Sequence, residues 1–201
     1  MGDSRKGKTQ MKAAFILEVD HRVHNFIRNL ARDIDRRYHT DFLSTWVPPH
    51  ISVKLPFNVP GLDEIEEYFD LLAASVQPIE IRLNKLELST WTDGDETQGV
   101  LWLVVQENAK LRDLHLRINR ELAERFEDTH ARYDGPDFRF HATVAIRGAP
   151  LQTYRDIYAD YRDIEVDLRY TASRISLIWL DDSVDPAAGC IFRILPLGQG
   201  A

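Results

Sequence analysis

Two histidines, each followed two residues later by a hydroxyl side chain, have the types and spacing needed for acid–base chemistry. His50 precedes Ser52, and His141 precedes Thr143. Both pairs lie in apolar runs typical of β-strands, where side chains two residues apart share a face. An imidazole can exchange a proton near neutral pH, and a neighbouring hydroxyl can donate to an anionic oxygen. Each pair is therefore predicted to form one chemical unit.

Two such units facing each other could act on a phosphate held between them. One histidine would activate the attacking oxygen, and the other would protonate the leaving oxygen. Because strand side chains alternate between two faces, Lys54 is expected on the face of the first pair and Arg139 on the face of the second. Each is therefore a candidate for binding the negatively charged phosphate. A solvated strand end is the alternative for both residues. This chemistry requires neither a metal nor a cofactor.

Other residues near the motifs have less specific patterns. Trp46, Phe57 and Trp91 lie in or beside loops near the motif strands, where an aromatic ring could stack on a base. We favour core packing for each of them. The other histidines match no compact set of metal-ligand spacings, and we interpret them as surface residues. They are His21, His24, His39, His115 and His130.

A repeated order of elements positions the two motifs. Each half is predicted to contain a strand, a helix, a motif strand, a second helix and an alternating strand. In the first half these elements cover 13–19, 23–34, 48–55, 62–76 and 79–83. In the second half they cover 100–105, 108–126, 138–146, 151–161 and 164–170. His50 and His141 therefore occupy equivalent places in the repeat.

The expected fold class is α+β, with two pseudo-symmetric strand-rich lobes, outer helices and a central cleft. Two last strands, at 174–180 and 190–195, complete this architecture. Residues 1–10 are predicted to be a disordered basic tail, and 11–201 a single bilobal domain. The segments 89–99 and 181–189 are predicted to be turns within that domain.

Composition excludes several classes of protein. With 25 basic and 32 acidic residues, a net charge of −7 argues against a protein that coats nucleic acid through a broad positive face. The single cysteine, Cys190, excludes an internal disulfide and is predicted to be a buried strand residue. The sequence shows no signal peptide and no apolar run long enough to span a membrane, so we expect a cytoplasmic monomer with no membrane partner.

The two motifs carry a family resemblance. The segments His-Ile-Ser-Val at 50–53 and His-Ala-Thr-Val at 141–144, with their spacing and strand–helix context, resemble the 2H phosphoesterase superfamily. Within it, the sequence is most similar to the 2'-5' RNA ligase and RNA 2',3'-cyclic phosphodiesterase group. The resemblance extends from Met11 to Leu197. Ser52 stands where Thr is commoner, but the hydroxyl is kept, so we expect an active enzyme.

The resemblance implies a bilobal α+β fold and metal-independent hydrolysis of cyclic or 2'-5' phosphodiesters, with RNA ends or small cyclic nucleotides as substrates. It also implies that His50 protonates the leaving ribose oxygen and that His141 activates water. Three alternatives stay open: 2'-5' RNA ligase activity at the same site, a non-catalytic module that binds nucleotides or RNA ends, and a metallohydrolase that uses the same histidines.

Overall fold

The computed structural model describes residues 11–40, 47–59, 61–181 and 190–199. The predicted tail at 1–10 and Trp46 lie outside these ranges. The elements, in chain order, are β1 (Met11–Glu18), α1 (His21–Tyr38), β2 (His50–Val59), α2 (Leu62–Ser75), β3 (Ile79–Asp93), β4 (Glu96–Val105), α3 (Ala109–Arg125), β5 (His141–Ile146), α4 (Leu151–Tyr161), β6 (Leu168–Ala172), β7 (Arg174–Asp181) and β8 (Cys190–Pro196).

Capping and apolar periodicity explain the helices that follow the first strand of each half. Asp20 caps α1 by accepting the Val23 N–H at 2.8 Å, and Asn108 caps α3 by accepting the Leu111 N–H at 3.0 Å. The buried positions of α1 recur every three or four residues, which turns one face of the helix to the core. They are Val23, Ile27, Leu30, Ala31 and Ile34.

The strands form two four-stranded sheets in which every pairing is antiparallel. The first sheet has the order β2-β1-β7-β8, and the second has the order β5-β4-β3-β6. The motif strands β2 and β5 are therefore edge strands, and they contact each other where the two sheets meet. The predicted α+β architecture with two strand-rich lobes is confirmed.

Several element boundaries differ from those predicted. The segment 89–99 is largely strand, because β3 and β4 continue as a long hairpin that turns at Gly94, where φ is +59°. Glycine adopts this left-handed conformation without the steric cost that a Cβ atom adds. The strand β5 begins at His141 instead of 138, and β6 covers Leu168–Ala172. The predicted turn at 181–189 lies almost wholly outside the described residues, as does the side chain of Cys190, the first residue of β8.

A continuous apolar core lies between the sheets and the helices. At its centre Phe15 contacts three buried rings, with centroid separations of 5.5–6.0 Å: Phe57, Tyr68 and Phe69. Helix α4 packs closely on β4, since a Cβ added at Gly99 would lie only 2.7 Å from the Tyr154 Cβ. Among the described residues, no helix is long and apolar enough to cross a membrane.

Candidate active site

The first motif strand contains a β-bulge directly after the motif hydroxyl. Ser52 pairs with Ile16 on β1, but the next pair joins Lys54 to Phe15, so Val53 is an extra residue on β2. Burial follows the same pattern, because Ser52 is partly exposed while Val53 and Lys54 are both buried. The face that carries the motif side chains therefore ends at Ser52.

The second motif strand contains the same bulge at the equivalent place. Thr143 pairs with Trp102 on β4, the next pair joins Ala145 to Leu101, and Val144 is the extra residue. Over their first six residues, β2 and β5 also have the same order of buried and partly exposed positions. The internal repeat is therefore a repeat of local geometry, which places Trp102 where the first half has Ile16.

The bulge overturns one prediction about phosphate binding. Lys54 was expected on the face of His50 and Ser52, but the extra residue reverses the alternation and directs its side chain into the interior. Lys54 is wholly buried, and its ammonium group donates to the Asn119 side chain at 2.9 Å, to the Thr129 carbonyl at 2.6 Å and to the Asp134 carboxylate. Lys54 is therefore a structural ion-pair partner and not a phosphate ligand.

Both motif histidines are anchored in the same way. The Nδ1 atom of His50 lies 2.9 Å from the Pro48 carbonyl oxygen, and that of His141 lies 2.8 Å from the Arg139 carbonyl oxygen. A carbonyl can only accept, so Nδ1–H is the donor in each bond, and Nε2 of the neutral ring carries the free lone pair. Each ring therefore has one nitrogen committed to the backbone and one available for proton transfer.

Burial lowers the pKa of both motif imidazoles. Burial lowers the pKa of His141 to about 4, against the opposing effect of its bond to the Arg139 carbonyl, and the charges of His50 and Arg139 lower it further. Burial likewise lowers the pKa of His50, and its bond to the Pro48 carbonyl opposes this. The free site therefore favours the neutral form of both rings.

The motif hydroxyls accompany the histidines on these faces. Ser52 and Thr143 are partly exposed, like the histidines two residues before them, whereas the residues between are buried. Neither hydroxyl has a hydrogen-bond partner among the described residues. Both are free to donate to an anionic oxygen in the region between the strands.

Arg139 lies beside the second motif. Its guanidinium group donates to a Glu87 carboxylate oxygen at 2.5 Å, and its Cζ atom lies 5.3 Å from the centre of the Trp102 ring. The side chain is 55% exposed, so it can reach an incoming anion. Its positive charge also lowers the pKa of His141, although burial is the larger cause.

Sequence reasoning missed Trp102. Its ring stacks against His141 with a centroid separation of 4.0 Å and an interplanar angle of 31°. The alternation of β4 gives a partial signal, since Trp102 and Val104 share a face. Matching that face to His141 also requires the register between β4 and β5, which the sequence pattern does not give.

The strand neighbours differ between the two motifs. His50 stands opposite Glu18 on β1, whereas His141 stands opposite Val104 on β4. The Glu18 carboxylate accepts the Ser176 hydroxyl at 2.9 Å and forms an ion pair with Arg174 at 3.1 Å. The two halves are therefore geometrically equivalent and chemically different.

Other predicted residues lie away from the motifs or have another role. Phe57 packs in the core, as favoured, and Trp91 is partly exposed on β3. His115 is wholly buried, so the prediction that it lies on the surface is wrong. Its Nδ1 donates to the Val53 carbonyl at 2.9 Å, and its Nε2 accepts the Gly135 N–H at 3.0 Å. Within the described ranges, no three His, Cys, Asp or Glu residues are grouped as a metal ion requires.

One family model matches most of the chain. The profile of the 2'-5' RNA ligase superfamily matches residues 19–183. A relative from Geobacillus thermodenitrificans, named "Putative phosphoesterase", is 27% identical over 158 residues, which is 76% of this chain and 81% of the relative.

Solved structures share the fold at low sequence identity. Usb1 of Kluyveromyces marxianus has a TM-score of 0.57 at 12% identity, and the match covers 94% of this chain and 99% of Usb1. E. coli LigT, in its complex with phosphate, has a TM-score of 0.53 at 15% identity, and the match covers 96% of this chain and all of LigT.

Proposed function

The chain belongs to the 2'-5' RNA ligase superfamily. We propose that it is a metal-independent phosphodiesterase. Its substrates would be 2',3'-cyclic phosphate ends of RNA, or related cyclic or 2'-5'-linked nucleotides. The observation that carries this proposal is the matched pair of histidines. His50 and His141 start the two edge strands that meet, and each has Nδ1 bonded to a backbone carbonyl, which leaves Nε2 available.

In the proposed reaction, His141 is the base and His50 is the acid. The Nε2 of neutral His141 takes a proton from water as the water oxygen forms its bond to phosphorus. The bond between phosphorus and the leaving ribose oxygen breaks, and protonated His50 gives its Nε2 proton to that oxygen. Proton exchange with solvent then restores neutral His141 and protonated His50.

The groups around the histidines would bind the phosphate. The hydroxyls of Ser52 and Thr143 donate to its non-bridging oxygens, and the exposed guanidinium group of Arg139 supplies positive charge. The negative phosphate in turn favours the protonated form of the imidazoles, which burial disfavours in the free site. Structures of E. coli LigT with phosphate and with 3'-AMP support a phosphate-containing ligand for this fold.

Ligase activity is the second candidate at the same site. A ribose hydroxyl would then take the place of water beside His141, and the same acid would protonate the same leaving oxygen. The family's name, with its reference to 2'-5' ligation, favours testing this reaction.

A panel of 2',3'-cyclic mononucleotides, RNA with a cyclic phosphate end and 2'-5'-linked dinucleotides tests the proposal when assayed in a chelator. We expect hydrolysis of at least one of these substrates, with the rate unchanged by the chelator. Loss of turnover on chelation would instead indicate a metallohydrolase. Tight binding without turnover on every substrate would indicate a binding module.

A further inference from the structure

Trp102 and Ile16 occupy equivalent positions in the two halves of the site. Each pairs with the motif hydroxyl of the neighbouring strand, Thr143 or Ser52, immediately before the bulge. An indole therefore lies beside the second motif, where the first has an aliphatic side chain. This difference breaks the symmetry between two otherwise matched acid–base units.

The indole of Trp102 is held by contacts to charged or titratable groups. Its ring lies against His141 at 4.0 Å, with the Arg139 Cζ atom 5.3 Å from its centre. The residue is only 9% exposed, and its Nε1–H has no acceptor among the described residues. A buried tryptophan usually finds an acceptor for this group. Hydrogen bonding therefore does not explain the position of the ring, whereas stacking on His141 does.

We propose that Trp102 is a positioning residue for the base of the proposed reaction, because its indole face fixes the His141 ring and stabilises the imidazolium that forms when this ring accepts a proton. The inference rests on the proposed function. A cation over an indole face is attracted by the ring quadrupole, and the attraction is strongest where water is excluded. Since the equivalent residue beside the other motif is Ile16, this stabilisation acts on one histidine only.

Other charged groups also act on His141. The charges of His50 on β2 and of Arg139, two residues before His141 on the chain, both lower its pKa. Glu87 on β3 pairs with Arg139 and with Lys85. A Trp102 substitution keeps all these charges, so a difference between variants measures the effect of the indole.

Kinetics of Trp102→Leu and Trp102→Phe test the inference, with Ile16→Leu as the matched control at the equivalent position. We expect Trp102→Leu to lower kcat by about tenfold while KM stays within about twofold of the wild-type value, because the interaction gains strength only as the imidazolium forms. Trp102→Phe keeps an aromatic face and should recover most of the rate. Ile16→Leu should leave kcat unchanged.

An NMR titration of the His141 Cε1–H resonance gives a readout independent of turnover. Leucine keeps the site apolar but removes the ring, so the titration midpoint should move to lower pH in Trp102→Leu, by up to about one pH unit. Trp102→Phe should titrate close to the wild type. Thermal unfolding identifies variants that fold, and Trp102→Met replaces the leucine variant if that variant does not.

An unchanged midpoint together with an unchanged kcat in Trp102→Leu would overturn the inference. A loss of kcat in Ile16→Leu as large as that in Trp102→Leu would also overturn it, since the effect would then not be specific to the indole. If the wild type hydrolyses nothing, the proposed function fails, and the titration still decides whether the indole stabilises protonated His141.

Discussion

The Lys54 ammonium and the Asp134 carboxylate form an ion pair that is shielded from solvent, with side-chain exposures of 0% and 1%. Lys54 lies on the first motif strand, two residues beyond Ser52. Asp134 lies in the segment that leads into the second motif strand, where it also accepts the Ala131 N–H at 2.8 Å. The pair therefore ties the chain before His141 to the strand that carries the other half of the site.

Removing one partner of this ion pair should destabilise the protein strongly. Lys54→Met leaves the Asp134 carboxylate buried without its cation, which typically costs about 3–5 kcal/mol. We expect a loss of this size in the free energy of unfolding, measured with a chemical denaturant. The double variant Lys54→Met/Asp134→Leu removes both charges and should recover part of it. A single variant as stable as the wild type would contradict the structural role assigned to Lys54.

Removing a motif hydroxyl should lower kcat/KM less than removing a motif histidine. Ser52→Ala and Thr143→Ala each remove one hydrogen bond to a charged oxygen, which is worth about 1.5–3 kcal/mol of transition-state stabilisation. We expect kcat/KM to fall accordingly for each variant. Ser52→Thr and Thr143→Ser keep the hydroxyl and should stay near the wild-type rate. Alanine variants with wild-type kinetics would remove these side chains from the site.

The pH dependence of catalysis should reflect the lowered histidine pKa values. The base must be neutral, and a pKa of about 4 keeps His141 neutral above that pH. The acid must be protonated, and burial lowers the pKa of His50. The bell-shaped profile of kcat/KM should therefore lie on the acid side of the ordinary histidine pKa of ~6.5.

The profile of kcat should lie at higher pH than that of kcat/KM, because a bound phosphate anion favours protonated imidazoles. The two apparent pKa values belong to the coupled pair, so variants are needed to assign each limb. Steady-state rates across a pH series give both profiles. A pH-independent rate, or a kcat/KM maximum well above neutrality, would count against two-histidine catalysis.

Periodicity predicted the parts of this molecule that depend on local pattern. The repeat of strand, helix and motif strand follows from apolar spacing, and the same-face relationship of His50 with Ser52 and of His141 with Thr143 follows from strand parity. The helix start at Asn108 follows from capping chemistry, whereas the Asp20 cap lies before the predicted helix at 23–34 and was not predicted.

Features that depend on pairing between strands could not be predicted in this way. A bulge adds one residue to one strand, and no residue type in either motif signals it, so the parity of Lys54 was assigned to the wrong face. The contact of Trp102 with His141 depends on how β4 pairs with β5, which no local pattern specifies. The burial of His115 depends on a backbone carbonyl and an amide brought to it by distant segments.

The most direct test of the central claim compares two leaving groups in the presence of a chelator. His50→Ala and His141→Ala are assayed for kcat/KM on the best cyclic or 2'-5'-linked substrate and on a nucleotide p-nitrophenyl diester, whose leaving group departs without a proton. On the natural leaving group, each variant should lose about 10²- to 10⁴-fold. On the p-nitrophenyl ester, only His141→Ala should lose activity, because the base is still required and the acid is not. Wild-type rates for either variant on the natural leaving group would contradict two-histidine catalysis.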